Sequence, residues 1–470
     1  MKKSLILLLW ISALLFAACD WDKTDPKPEE ILVGVDLGLP SGVLWGSQNI
    51  GTYRSDLQGD EYELYERRGD PLWGSENSKY LLAPDKDIAQ KELGENWRLP
   101  TAWEYRELLD YCTWERSSKY SHAGYLVKSK VNSNSIFIPF NPDYKHFLFS
   151  EYFKDSSRYW TSTLNKNGTP FYLEVSDRGQ LTDSQNVIKC LVRPVIGRKD
   201  KPESIAVHEK AIKLSPGDTT RLAVDFTPAG SYDKYLEYAS SDPSVAYIND
   251  RGEVFALTPG QATIQATSTC LGKTVESQVE VGAFIAPEKV DLGLPSGNLW
   301  SSFNLGAKDN LSSGLFFKWG NVQPESDLPA YAGWINLGST SSASQKTLSP
   351  EEDPATIYLG DKWHMPTADD FRELVENCSI KYEQGDKIAI HRLTSIINGN
   401  SIIFLKGNGY LFFSNFEFYR PLIYWTSQDD GQNAKMAKSF GLDEKNAYSF
   451  TNIDQRNTLP IRPVWGERKD

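Results

Sequence analysis

The sequence predicts a multidomain chain in which two α+β domains are separated by an all-β sandwich. The first observation is an eleven-residue segment that occurs twice: residues 35–45 read VDLGLPSGVLW and residues 290–300 read VDLGLPSGNLW. The second is a helix-start motif that follows in both copies, and the third is a series of short alternating runs between them. A repeat of this length marks two copies of one domain, because chance does not produce it.

Further motifs keep the same order in both copies and set the domain boundaries. They are WRLPT at 97–101 with WHMPT at 363–367, NSIF at 134–137 with NSII at 400–403, YWTS at 159–162 and 424–427, and RPV at 193–195 and 462–464. The sequence between them differs in length, as is typical of loops on a shared core. We predict copy 1 at 31–198, a middle segment at 202–283 and copy 2 at 286–467, after a signal peptide at 1–18 and a tether at 19–30.

Each copy is predicted to contain one amphipathic helix. Thr101 and Thr367 are suitable N-caps because a carboxylate follows three residues later in each copy. Behind them, apolar residues recur at helical spacing and predict a buried face; they are Tyr105, Leu108, Leu109 and Cys112, and Phe371, Leu374, Val375 and Cys378. Short β-type runs at 135–140, 171–175 and 402–405 complete an α+β domain.

The middle segment has a different pattern, typical of a β-sandwich. Apolar and polar residues alternate at 205–207, 220–226, 253–257, 262–267 and 277–281. Turn residues separate these runs, as in Pro216-Gly217 and Pro259-Gly260. Regular short strands within about 80 residues predict a β-sandwich.

The N-terminus predicts export and a lipid anchor. Two lysines precede an apolar run at 5–16, which is short for a bilayer span. Ala17-Ala18-Cys19 then resembles the lipobox of bacterial lipoproteins, which implies cleavage before Cys19 and attachment of lipid to it; Phe16 departs from the usual Leu. An ordinary signal peptide cut after Ala18 is the alternative.

The acidic residues after Cys19 resemble the surface-export signal of Bacteroidetes-type lipoproteins. This resemblance implies an outer-membrane lipoprotein that faces the cell exterior, with a solvated linker in the periplasm as the alternative. The chain carries a formal net charge of −12 and no basic cluster. Nucleic acid is therefore excluded as a partner, because phosphate neutralisation needs grouped Lys and Arg.

Family resemblances refine the fold class. The middle segment resembles a group 2 bacterial immunoglobulin-like domain through SSDPSVA at 240–246, GEV at 252–254 and GQATI at 260–264; Tyr238 stands where the family more often has Trp. The flanking copies resemble the Fibrobacter succinogenes major paralogous domain through their shared motifs. RLPTA at 98–102 followed by WEY is also similar to formylglycine-generating sulfatase-modifying enzymes. These resemblances imply two C-type-lectin-like domains that flank an immunoglobulin-like sandwich.

The residues do not support the chemistry of those enzymes. Formylglycine formation needs a copper-binding cysteine pair near the C-terminal end of the domain, where copy 1 has only Cys190 and copy 2 has none. The five histidines lack zinc-type spacing. A bridge between Cys112 and Cys190 stays open, although small buried hydrophobes are the favoured role of the cysteines. We therefore expect no catalytic residue, no metal and no cofactor.

Two short sequences and several tryptophans bear on sugar recognition. The sequences NPD at 141–143 and QPE at 323–325 resemble the calcium-site loops of C-type lectins, but they occupy different positions in the two copies, which favours simple turns. The repeated tryptophans are predicted to be core residues; they are Trp45, Trp97, Trp160, Trp300, Trp363 and Trp425. Unrepeated tryptophans in variable segments are the candidate ligand-binding residues; they are Trp73, Trp114, Trp319 and Trp334.

Together these observations predict a non-catalytic surface lipoprotein for binding or adhesion, attached to the membrane through Cys19. Its ligand would be a glycan or a surface protein, recognised by loop faces of the two copies, with the immunoglobulin-like domain as a spacer. Two alternatives stay open: a glycoside-active enzyme or its accessory in polysaccharide processing, and a structural component of the envelope.

Overall fold

The computed structural model describes residues 30–64, 82, 84–119, 122–140, 157–165, 167–175, 179–183, 189–197, 200–325, 346–385, 388–405, 422–431, 433 and 435–468. Within these ranges the protein is mostly β-sheet with few helices. Cys19, Trp73, Trp334, His146 and the NPD sequence lie outside the described residues.

The chain forms two compact units. Unit 1 contains Met1–Ile205, Phe226–Leu236 and Ser268–Lys273, and so comprises copy 1 with two stretches of the middle segment. Unit 2 contains Ala206–Asp225, Glu237–Thr267 and Thr274–Asp470, and so comprises copy 2 with the rest of the middle segment. The prediction of three separate domains stays a prediction.

Copy 1 contains two α-helices and a series of short strands. The helices are α1 (Ile88–Leu93) and α2 (Ala102–Tyr111), with a 3-10 turn at Pro84–Lys86. The strands are β1 (Gly34–Asp36), β2 (Leu44–Gly46), β3 (Tyr62–Glu63), β4 (Trp97–Arg98), β5 (Cys112–Lys119), β6 (His122–Ser129), β7 (Ser135–Pro139), β8 (Ser157–Leu164), β9 (Pro170–Val175), β10 (Gly179–Asp183), β11 (Lys189–Cys190) and β12 (Val195–Ile196).

The middle segment is built of strands alone. They are β13 (Ser204–Val207), β14 (Ala211–Leu214), β15 (Thr219–Arg221), β16 (Val224–Thr227), β17 (Leu236–Ser240), β18 (Ala246–Ile248), β19 (Glu253–Ala256), β20 (Gly260–Ser268) and β21 (Lys273–Val281). One sheet has the order β14-β21-β20-β17 and another the order β15-β19-β18. Two separate sheets of short strands agree with the predicted sandwich, in which β14 joins the edge of its sheet by parallel pairing with β21.

Copy 2 repeats the elements of copy 1. Its helices are α3 (Pro354–Leu359) and α4 (Ala368–Glu376), with a 3-10 turn at Pro350–Glu352. Its strands are β22 (Lys289–Val290), β23 (Leu299–Ser301), β24 (Phe316–Lys318), β25 (Trp363–His364), β26 (Cys378–Gln384), β27 (Ala389–Ser395), β28 (Ser401–Leu405), β29 (Leu422–Asp429), β30 (Met436–Leu442), β31 (Tyr448–Asp454), β32 (Thr458–Pro460) and β33 (Val464–Trp465).

Three of the repeated motifs, namely the eleven-residue segment, the helix-start motif and the closing RPV, meet in one four-stranded sheet of each copy. Its order is β1-β2-β12-β4 in copy 1 and β22-β23-β33-β25 in copy 2. The closing valine pairs with the motif tryptophan in both, as Val195 with Trp45 and Val464 with Trp300. The same residues therefore hold the same register, which explains why these motifs are shared by the two copies.

The predicted helix start is confirmed, but the predicted helix end is wrong. Thr101 and Thr367 form capping boxes with Glu104 and Asp370. However, α2 ends at Tyr111, and Cys112 adopts extended backbone and opens β5 opposite Ser129. Cys378 likewise opens β26. Both cysteines are buried as predicted. They are buried because the first residue of each strand packs into the hydrophobic core, and not because they lie on the inner face of the helix.

One predicted strand of the middle segment divides in two. The run 220–226 forms β15 and β16, and the residues between them bond in different directions. Leu222 N–H donates to the Gly252 carbonyl, while the Ala223 carbonyl accepts from His208 N–H. The alternation of apolar and polar residues continues where the chain changes from one pairing strand to another. The sequence therefore does not reveal the break between β15 and β16.

Each copy has two hydrophobic clusters, and each cluster contains a repeated tryptophan. In copy 1, Trp45 packs in one cluster and Trp160 in the other; in copy 2 the same division holds for Trp300 and Trp425. All four are fully buried, which confirms their predicted core role. The four cysteines of the described residues are free and buried, without a bridge between Cys112 and Cys190; they are Cys112, Cys190, Cys270 and Cys378.

Candidate functional site

The shared arginine of each closing RPV motif is a structural residue. Arg193 is fully buried; its Nη1 donates to the Gly46 carbonyl at 3.0 Å and its Nη2 to the Phe137 carbonyl at 2.7 Å. Arg462 repeats this with Ser301 and Ile403. Burial lowers the pKa of both guanidinium groups. Each arginine thus ties the central sheet to a neighbouring strand through backbone carbonyls.

The VDLGLPSG motif forms a rigid corner. Asp36 accepts from Gly38 N–H at 2.7 Å, and Gly38 has a positive φ of 64° that favours glycine. The Ser129 hydroxyl donates to the Leu37 carbonyl at 2.6 Å, and the Asn134 amide donates to the Asp36 carbonyl. Copy 2 has equivalent bonds from Ser395 to Leu292 and from Asn400 to Asp291. The shared polar residues are therefore occupied in holding the scaffold.

The two copies differ in how they hold the helix-capping carboxylate. In copy 1 the buried Arg98 donates to Glu104, with Nη1 to Oε2 at 2.8 Å. In copy 2 the histidine His364 replaces this arginine, and the capping residue Asp370 is one methylene shorter. The amide of Asn298 donates to Asp370 at 3.0 Å. The eleven-residue segments differ only at Asn298, where copy 1 has Val43. We attribute this substitution to the capping carboxylate, which bonds to Asn298 in copy 2 and to Arg98 in copy 1.

In unit 1, residues 226–236 of the middle segment pack on the Arg98 region. The Tyr232 ring lies 5.1 Å from the Arg98 guanidinium carbon, and the Tyr235 ring lies 4.9 Å from that of Phe171. Asp233 is fully buried and accepts from the Thr163 hydroxyl at 3.1 Å. Burial raises the pKa of Asp233 to about 7. Asp233 is therefore a buried acid of the middle segment at its contact with copy 1.

Another buried acid lies beside the VDLGLPSG corner. Glu107 of α2 accepts from Ser41 N–H at 3.1 Å, and burial raises its pKa to about 7. Copy 2 has the same bond from Ser296 N–H to Glu373. Since both copies use this carboxylate to hold the same turn, its common role is structural. Its neighbour Glu104 is committed to Arg98 and to the helix cap.

The two candidate tryptophans within the described residues are half-buried. Trp114 packs against a core cluster of copy 1, and its indole N–H donates to the Leu108 carbonyl at 3.3 Å. Trp319 packs against a core cluster of copy 2, and its indole N–H donates to the Thr426 carbonyl at 2.9 Å. Each therefore offers a ligand only part of its ring. The structure does not bring these two residues together in one unit.

The remaining polar motifs form ordinary turns and bonds. In the QPE sequence, Gln323 N–H donates to the Asn321 side chain, and Glu325 pairs with Lys318 at 2.9 Å. His364 and His391 bond to backbone carbonyls. Across the described ranges, no group of three His, Cys, Asp or Glu side chains could hold a metal ion. Burial raises the pKa of the Cys112 and Cys378 thiols to about 11, which disfavours the thiolate.

An exposed apolar surface beside the N-terminus was not predicted from the sequence. It consists of Ile31, Val33 and Tyr53, and we call it the N-terminal patch. The available signal was the alignment of the two copies, in which Ala286, Glu288 and Lys308 stand at these positions. In the described part of the chain, no helix is long and apolar enough to cross a membrane.

Comparison with known proteins identifies the middle segment. Residues 203–279 match the family model of the bacterial Ig-like domain (group 2), which confirms the prediction of that domain. No curated protein matches the chain. This match covers the middle segment, and the C-type-lectin-like fold of the flanking copies stays a prediction.

Solved structures give only weak likenesses. Domains 4 and 5 of the S-layer protein SbsC match with 15% identity and a TM-score of 0.16, over 36% of this chain and 100% of that one. The S-layer protein rSbsC(31-844) matches with 11% identity and a TM-score of 0.17, over 71% of this chain and 36% of that one. Cadherin domains 1–4 of protocadherin gamma B7 match with 10% identity and a TM-score of 0.15, over 80% and 68%. TM-scores this low carry no argument about fold or role.

Proposed function

We propose that this protein is a lipid-anchored outer-membrane protein of the bacterial cell surface that acts by binding or adhesion and not by catalysis. The observation that carries the proposal is the use of the shared polar residues. Arg193, Arg462 and the VDLGLPSG corners are bonded to the backbone of their own copy. What the two copies have in common is thus a scaffold, and recognition falls to the segments in which they differ.

The immunoglobulin-like domain supports the extracellular placement, and the lipobox-like Ala17-Ala18-Cys19 supports the anchor. The ligand in this proposal is a glycan or a surface protein, contacted by the variable segments that contain Trp73 and Trp334 and by the exposed parts of Trp319 and of Trp114, which lies on β5. Aromatic rings bind such ligands by stacking and apolar contact. Two copies on one chain would increase avidity where both reach the same surface.

The experiment uses the full mature chain with Cys19→Ser, screened on a glycan array and in a pull-down from intact cells. Trp73→Ala and Trp334→Ala should each reduce binding by about tenfold, as expected of aromatic contact residues. Tyr111→Ala and Tyr448→Ala, which change exposed aromatic residues of the scaffold, are the matched controls and should bind normally. Hydrolysis of a polysaccharide by the same preparation would contradict the proposal and favour the enzyme alternative.

A further inference from the structure

The N-terminal patch presents apolar side chains to solvent where the chain enters copy 1. Ile31 is 84% exposed, Val33 51% and Tyr53 55%. Leu32 between them is half-buried, so Ile31 and Val33 point to the same, outer side. Glu30 N–H donates to the Tyr53 carbonyl at 2.8 Å, which places the Tyr53 loop beside the entering segment.

Copy 2 provides an internal comparison for these positions. Val33 N–H donates to the Ser47 hydroxyl at 3.1 Å, and Glu288 N–H donates to the Ser302 hydroxyl at 3.1 Å, so the two segments have the same geometry. Yet copy 2 carries Ala286, Glu288 and Lys308 where copy 1 has the patch. The scaffold does not require apolar side chains here. At these three positions the apolar side chains occur in copy 1 alone, while copy 2 exposes Ile285 at the position before Ala286.

Charges next to the patch are neutralised in pairs. Lys119 Nζ lies 2.8 Å from Glu30 Oε1, and Arg54 Nη2 lies 2.8 Å from Asp56 Oδ2. The His122 ring also contacts Asp56 at 2.8 Å. Among the described residues, the acids Glu30 and Asp56 beside the patch are thus each paired with a cation, which reduces their repulsion of anionic headgroups.

The length of the tether limits the distance between the patch and the anchor. The stretch from Cys19 to Glu30 can span at most about 38 Å even when fully extended. The patch begins at the next residue, so a lipid on Cys19 keeps it within that distance of the bilayer. Aliphatic side chains gain free energy at the boundary between headgroups and acyl chains, and tyrosine is favoured in the same layer.

We propose that Ile31, Val33 and Tyr53 form a membrane-docking surface that rests on the bilayer in which the chain is anchored. The occupant of the patch is a lipid surface. This inference rests on the lipid anchor of the proposed function and adds to it a second, weaker membrane contact made by the folded domain.

The test measures binding of the soluble Cys19→Ser chain to vesicles of phosphatidylethanolamine and phosphatidylglycerol by co-sedimentation. Ile31→Ala, Val33→Glu and Tyr53→Lys together install the residues of copy 2. We expect the unmodified patch to bind vesicles and the triple variant to bind at least about tenfold less. Because the three side chains are exposed, the thermal unfolding of the variant should match that of the parent.

Two controls distinguish binding by the patch from binding by any exposed apolar side chain. Ile396→Ser with Ile397→Ser removes two exposed aliphatic side chains of copy 2 and should leave vesicle binding unchanged. Ala286→Ile, Glu288→Val and Lys308→Tyr together transplant the patch to copy 2 and should increase binding. Equal binding by the parent and the triple variant, or none by either, would overturn the inference.

Failure of this inference can be distinguished from failure of the proposed anchor. Membrane fractionation of cells that express the native Cys19 and the Cys19→Ser chain tests the anchor alone, because the vesicle experiment contains no acylated protein. A patch that binds a second copy of the chain would produce a dimer in sedimentation velocity that the triple variant abolishes. That outcome would also overturn the lipid assignment.

Discussion

Replacing Asn298 by Val should destabilise copy 2 by about 2 kcal/mol. The Asn298 amide is buried and donates to the carboxylate of Asp370, which caps α4 by accepting from Thr367 N–H at 2.9 Å. A hydrogen bond to a charged group contributes roughly 1.5–3 kcal/mol, and its loss removes one of the bonds that hold the cap in place. The substitution should therefore loosen the first turn of α4.

The effect of Asn298→Val should not come from a change in side-chain volume. Val43 occupies the equivalent position in copy 1, where it packs against Gly197. Asn298 packs against Gly466 in the same way. Because valine already fits this site in copy 1, Asn298→Val changes the hydrogen bonding and leaves the volume nearly the same. The reverse change, Val43→Asn, should also destabilise its copy, since the new buried amide faces a carboxylate already bound by Arg98.

Hydrogen–deuterium exchange measures the effect in each copy separately. Protection of α4 amides should fall about thirtyfold in Asn298→Val, while protection of α2 amides in the same sample stays constant. Adding His364→Arg and Asp370→Glu installs the copy 1 pairing and should restore at least half of the loss. Unchanged protection of α4, or an equal decrease in α2, would refute the reasoning.

Three further outcomes are expected. The contribution of Asp233 to the unfolding free energy of the unit that contains copy 1 should fall by roughly 1.4 kcal/mol per pH unit as the pH rises from about 4 towards 7, because the folded Asp233, whose pKa is raised to about 7, holds a proton that the unfolded chain releases. Asp233→Asn should reduce the slope measured in urea titrations at several pH values by that amount, and should leave unchanged the slope due to Glu107, whose pKa is also raised to about 7. Arg462→Lys should destabilise copy 2 by about 2–4 kcal/mol in thermal unfolding, because the single ammonium nitrogen of lysine lacks the guanidinium fork whose Nη1 and Nη2 reach the Ser301 and Ile403 carbonyls. A change below about 0.5 kcal/mol would contradict the role given to this arginine. Cys19→Ser should move the protein from the membrane fraction to the soluble fraction of cells, and continued sedimentation with membranes would rule out the anchor.

Local signals were predicted well from the sequence. The capping boxes at Thr101 and Thr367 depend on residues three positions apart, so the sequence displays them directly. The strand Ser135–Pro139 and the core placement of Trp45 also follow from local pattern and from repetition. In these cases the neighbours that determine the conformation are close in the chain or are marked by the second copy.

Long-range pairing accounts for what the sequence did not reveal. Helical spacing continues through Cys112, and only its pairing with Ser129 shows that a strand has begun. The burial of Arg193 depends on carbonyls of Gly46 and Phe137, which are distant in sequence. The half-buried state of Trp114 likewise follows from packing against the core. The N-terminal patch became visible only when exposure was compared between the two copies.

A crystal structure of the mature chain would show whether the shared motifs form a scaffold. We expect the two copies to superpose on their central sheets, with the guanidinium groups of Arg193 and Arg462 enclosed and bonded to backbone carbonyls in both. An open cleft lined by either arginine, or a metal or redox centre held by the shared motifs, would contradict it.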